Sequence, residues 1–243
     1  MMKRLIFLCA SVLLLAAGTA QAAPVKNICG PVPMPGQSGP WDYRLGKSDL
    51  STQLGLVEGA HFTSEVEEGV RGKSTFHVGG DLHYTLVHFP NHHRALATLA
   101  KVAIRTHSVQ LEGAEFPVEC YYDRAIRYAP DDPAVYSLYG SYVSALGRNE
   151  QALALFEKAA ELSPDDPTFN YNYGLSLFKA KRYDEANVHA HKAYDQAFPL
   201  PGLKNMLVSV GKWQAVPPAA PAQPEAAASQ DAPGSEKADT KQQ

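Results

Sequence analysis

Five histidines, His77, His83, His88, His92 and His93, fall within 17 residues, and imidazole is the side chain most often found on protein-bound metals. A zinc site on one helix needs two ligands at i and i+4. The one such pair here, His88 and His92, straddles Pro90, where a helix cannot continue. His92 and His93 are adjacent, and His189 and His191 lie two apart, so each pair diverges on a helix surface. The spacing predicts surface or locally hydrogen-bonded histidines, with no metal and no other cofactor. Gly69-Val-Arg-Gly-Lys-Ser-Thr resembles the end of a phosphate-binding loop, yet Glu67 stands where the motif's first glycine belongs and no strong apolar strand precedes it. A solvated turn is expected there. Serine and histidine are plentiful, but there is no Gly-x-Ser-x-Gly elbow. These residues predict a protein that is not an enzyme.

The remaining reactive groups are thiols, and the start of the chain decides how to read them. Lys3-Arg4, an apolar run from Leu5 to Ala17 and Ala20-Gln21-Ala22 have the form of an export leader with its cleavage site. The run is 13 residues long, short of the roughly 18 to 20 that span a bilayer, so the mature chain, starting near Ala23, carries no membrane span. Cys9 leaves with the leader, and it follows bulky Phe7-Leu8 rather than the small residues of a lipid-attachment site. Cys29 and Cys120 remain, an even count in a chain sent to an oxidising compartment, and are expected to form a disulfide. Loss of Lys3 and Arg4 leaves 20 basic residues against 25 acidic ones, with no basic stripe to hold nucleic acid. The predicted location is the bacterial periplasm.

Residues 23–91 read as an extended Pro/Gly-rich segment followed by short helices. Trp41-Asp42-Tyr43-Arg44 offers the first aromatic anchors for the extended part. Ser64-x-x-Glu67 has the form of a capping box, Asp81 is placed to cap Leu82 to Phe89, and Asn91 to cap the helix that follows.

From His92 an apolar face recurs at helical spacing through Leu96, Leu99, Ala100, Ala103 and Ile104. Beyond it the chain repeats itself. Gly140, Ala152, Phe156, Ala159 and Pro164 are answered 34 residues later by Gly174, Ala186, Ala190, Ala193 and Phe198, with Pro199 next. Small residues at those places let paired helices approach closely, and the prolines end each unit. Going back 34 residues, Val118, Tyr122, Ala125 and Pro130 keep the register of a degenerate first unit, entered through Pro117 as first helical residue. This pattern resembles the tetratricopeptide repeat (TPR) family. The expected fold is all-α: repeats over 92–132, 133–166 and 167–199, then a capping helix 202–213 with Leu203, Met206, Leu207, Val210 and Trp213 on one stripe. Residues 214–243 lack any apolar period and read as a disordered tail. Leu-Val-Glu-Gly-Ala-His-Phe-Thr and Phe-Pro-Asn-His-His-Arg-Ala-Leu resemble blocks that precede the repeats in some uncharacterised exported bacterial TPR proteins.

The resemblance implies a scaffold that binds a protein or peptide partner. It places Ala134, Ser137, Ser141, Ser144 and Ala145, then Thr168, Tyr171, Leu175, Phe178 and Lys179, on the concave groove. That lining lacks the paired Lys and Asn by which some family members hold a C-terminal carboxylate. The reading is an exported adaptor for a segment of a cell-envelope protein, in support of assembly, secretion or maturation of a complex. The alternatives are a histidine-rich protein binding a metal or small molecule through its N-terminal region, or a groove filled by the chain's own Pro-rich start or tail.

Overall fold

The computed structural model describes residues 29–32, 39–46 and 48–215. The leader, Cys9, most of the Pro-rich stretch and the tail from 216 on lie outside the described residues. What is described is all-helical: α1 (Ser51–His61), α2 (Ser64–Glu67), α3 (Val78–His88), α4 (His93–Thr106), α5 (Val118–Tyr128), α6 (Pro133–Ala145), α7 (Asn149–Leu162), α8 (Pro167–Lys179), α9 (Tyr183–Tyr194) and α10 (Gly202–Ser209). The chain divides into two compact units, one ending at Pro164 and one beginning at Asp165.

In the first unit α6 and α7 form the most intimate pair. Asp132 caps α6, its Oδ1 accepting from Ala134 N at 3.1 Å, and Pro133 opens the helix, where a missing N–H costs nothing. Gly140 lies under the Phe156 ring, to which a Cβ would come within 3.0 Å, and Ala152 and Ala159 are buried on the facing helix. α4 and α5 form the preceding pair, joined by a longer connection in which Gly113 takes φ +82. The unit shows no break at His92. α3 packs on both α1 and α4, and Leu54, Val57 and Phe89 form a small core covered by Trp41, Tyr43 and Leu50.

Three expected caps are replaced. α4 is capped by His92, whose Nδ1 accepts from Ala95 N at 3.1 Å, while Asn91 instead bonds Asp132, Asp42 and the Tyr43 amide. α2 starts after Thr63 with no side-chain cap, and Glu67 pairs with Arg94 rather than closing a box with Ser64. α3 begins at Val78, so Asp81 sits inside its first turn and caps nothing. In each case a long-range partner outcompetes the local one. Pro117 stands at the N-cap of α5, one place ahead of the expected first turn.

In the second unit Asp166 caps α8 through Thr168 N and Phe169 N, again with proline next. Gly174 serves α10 as well as the helix pair, since a Cβ there would come within 2.6 Å of Leu203. Leu203 and Leu207 are fully buried, but α10 ends at Ser209 and Val210 is exposed. Trp213 is therefore not on the capping helix; it lies beyond it, stacked on His191 at 4.1 Å. Gln214 is held too, its carbonyl accepting from Asn187 Nδ2 and His191 Nε2, both at 2.9 Å.

His189 lies between the two paired helices, its Nδ1 donating to Asn170 Oδ1 at 2.8 Å. Burial, with Lys192 nearby, lowers its pKa from 6.5 to about 4. The folded form thus disfavours the proton that the unfolded chain accepts below pH 6.5, so its contribution to stability is present above that pH and is lost as pH falls toward 4. Denaturation of the wild type and of His189→Gln across this range should show the wild type losing more stability; parallel losses would assign the acid sensitivity to other groups.

Candidate functional site

An open cleft of about 230 Å³ is lined by Ala97, Ala100, Lys101 and Ile104 of α4, by Leu138, Ser141 and Tyr142 of α6, and by Tyr122 of α5. Tyr122 is fixed: its hydroxyl donates to Leu96 O at 3.0 Å, and its ring stacks on Tyr139 at 4.8 Å and Tyr142 at 5.9 Å. Burial drives its phenol pKa up, so the hydroxyl stays a neutral donor. Behind this wall Glu119 accepts from Tyr139 OH at 2.8 Å and pairs with Arg148 at 2.5 Å. The Arg148 bond, larger than the opposing burial, lowers the Glu119 pKa. The cleft therefore has a rigid aromatic side, an aliphatic side at Ile104 and Leu138, and one cation, Lys101, at an exposed position.

Of the groove residues expected from the repeat pattern, Ser141 is on the cleft wall, its Oγ donating to Ser137 O at 2.9 Å. Ser137 is buried and Ser144 half-buried; Ala134 is half-buried and Ala145 exposed. In the second unit Thr168 and Lys179 are exposed, and Leu175 and Phe178 half-buried, with Phe178 against Tyr183 at 5.0 Å. Tyr171 departs from the expectation of an anchor facing a partner. It is 7% exposed and stacks on Phe198 at 4.4 Å, with Tyr194 at its edge. It packs against its sister helix and the turn after it.

The period-based reading missed Ala97, Lys101 and Ile104. The 34-residue register holds for α5 but not for α4, because the α4–α5 connection is longer than the later ones. Counting from the capping residue would have found them: His92 and Asp132 are 40 apart, and the same offset sets Ala97, Lys101 and Ile104 opposite Ser137, Ser141 and Ser144.

The histidines are engaged one by one. His92 accepts at Nδ1, so its proton is on Nε2, which donates to Glu58 at 3.0 Å. His93 donates to the capping Asp132 at 2.8 Å, and His61 to Asp81 at 2.7 Å. His83 bridges Tyr121 and Glu115, His77 meets Glu112 at 3.4 Å, and His88 lies against Tyr84. Among the described residues no group of three or more His, Cys, Asp or Glu converges as a metal site would require. The phosphate-loop-like stretch is a largely exposed turn, as expected, and its amides serve an internal anion: those of Lys73, Ser74 and Thr75 all donate to the buried Asp81 carboxylate.

The helix pairs bearing this cleft have a relative. A tetratricopeptide repeat family model matches residues 119–167 and 140–199. Residues 119–199 carry tetratricopeptide repeats. Among curated proteins none matches the sequence. The TPR match covers α6 to α9 and most of α5, while α4, which supplies half of the cleft, lies outside it. Among the described residues no helix is long and apolar enough to cross a membrane.

Proposed function

We propose that this TPR protein is an exported, non-catalytic scaffold whose α4–α6 cleft receives a peptide segment of a cell-envelope protein, in support of assembly, secretion or maturation of a complex. The observation that carries the reading is the cleft itself: a preformed apolar recess between the first helices of two successive helix pairs, with aromatic residues locked by stacking and hydrogen bonds. Rigid aromatic and aliphatic walls bind at low entropic cost. The leader-like start and the Cys29–Cys120 disulfide support export. The single cation at the edge favours peptides with a large apolar residue near an acidic one.

Selection from a random-peptide display library against the full chain tests this. Enriched peptides should share that pairing, and Ile104→Glu should weaken them about tenfold or more, as loss of a central anchor does. The melting temperature should barely move, because Ile104 is 36% exposed. Failure to enrich, or binding indifferent to Ile104→Glu, removes the cleft from consideration.

A further inference from the structure

The opposite side of α5 holds a peptide already. Cys29 is joined to Cys120. Arg124, a buried arginine, donates from Nη1 to the carbonyls of Cys29 at 3.2 Å and Pro31 at 2.6 Å, and Arg127 donates to that of Gly30 at 2.9 Å. Two guanidinium groups thus read three successive backbone carbonyls. Phe116 supports Arg124 at 4.9 Å from its ring centre, and at the end of the helix Tyr128 OH donates to Pro40 O at 3.0 Å. A guanidinium has only donors, and a proline residue has only a backbone acceptor. The match is chemical: two of the four carbonyls bound on this face, those of Pro31 and Pro40, belong to residues that bring no N–H for an arginine surface to leave unsatisfied. Burial lowers the Arg124 pKa, in keeping with a cation whose acceptors here are uncharged carbonyls.

We propose that this face of α5 is a second peptide-binding site, for a proline- and glycine-containing segment, closed by the chain's own residues 29–31 until the Cys29–Cys120 bond is reduced. While the bond stands, tethering keeps the local concentration of the resident segment far above that of any competitor. A dithiol opens it. One dithiol thiolate attacks Sγ of Cys29 or Cys120, the S–S bond breaks and a mixed disulfide forms; the second dithiol sulfur then displaces the protein sulfur. Two electrons and two protons pass to the protein, which gains two thiols, and the dithiol leaves as a disulfide. The site is distinct from the α4–α6 cleft, although both use α5.

The probe is a fluorescent peptide with the sequence of residues 27–35, serine replacing the cysteine. By anisotropy it should not bind the oxidised full chain. It should bind the full chain carrying Cys29→Ser and Gly30→Val, because Gly30 has φ +67, a conformation that valine resists, so the resident segment is released while Arg124, Arg127, Phe116 and Tyr128 are untouched. Adding Arg124→Gln should weaken that binding about tenfold or more, since two charge-assisted bonds are lost. No binding to the released variant overturns the proposal, as does equal binding to the oxidised chain. The wild type gives an independent reading: after reduction, excess peptide should speed alkylation of Cys29 by iodoacetamide with helical content unchanged. An unchanged rate, or loss of helix on reduction, overturns the proposal as well, because the open site must belong to a folded chain.

Discussion

Asp81→Ala is expected to cost the first unit about 3–5 kcal/mol, the range for removing one member of a buried charged network. The carboxylate is completely buried. It accepts from the amides of Lys73 at 2.6 Å, Ser74 at 3.3 Å and Thr75 at 3.2 Å, and from His61 Nδ1 at 2.7 Å. Alanine would take the shared acceptor from three backbone donors and an imidazole that converge on a fully buried point, and donors left without their acceptor cost more than a made bond gains. The loop from Gly69 to His77 and the start of α3 should loosen together, and α3 packs on α4, which carries one wall of the cleft. Urea unfolding measures it, with Asp184→Ala as a control at an exposed carboxylate paired with Lys212. A loss below about 1 kcal/mol, the net value of a single ordinary hydrogen bond, would mean that the loop holds its shape without the anion.

Replacing both Cys29 and Cys120 by serine should lower stability by about 4 to 5 kcal/mol on the loop-entropy model, the two cysteines being 91 positions apart. The unfolded chain gains that freedom. In the folded chain the arginine bonds to residues 29–31 remain possible, so the loss should fall on unfolding of the first unit rather than on its helix content. Guanidinium unfolding of the double variant and of the reduced wild type should coincide. A variant as stable as the oxidised protein would show that the disulfide adds nothing to the hold that Arg124 and Arg127 already exert.

What the sequence by itself determined is the part of this protein that repeats. Gly140 and Gly174, the alanines that follow each, and the stop at Pro164 state the helix pairs outright, because close helix packing demands small residues at a fixed interval and a helix cannot run on through a proline beyond its first turn. The pairing of Cys29 with Cys120 was legible for a similar reason: once Cys9 is set aside with the leader-like start, two thiols leave one choice. Tertiary structure decided what no local pattern encodes. Asp81, Asn91 and Glu67 each had a nearby capping role on offer, and each is taken by partners 6 to 49 residues away, since a buried polar group must be satisfied by whatever the fold brings near it. Tyr171 occupies a groove position of the repeat yet packs on Phe198, a residue standing where the earlier unit has Pro164. The cleft at Ala97, Lys101 and Ile104 was hidden by a longer connection between α4 and α5. An insertion in a loop shifts the count along the chain without moving the helix in space, so a period read in sequence loses a helix that packing keeps in place.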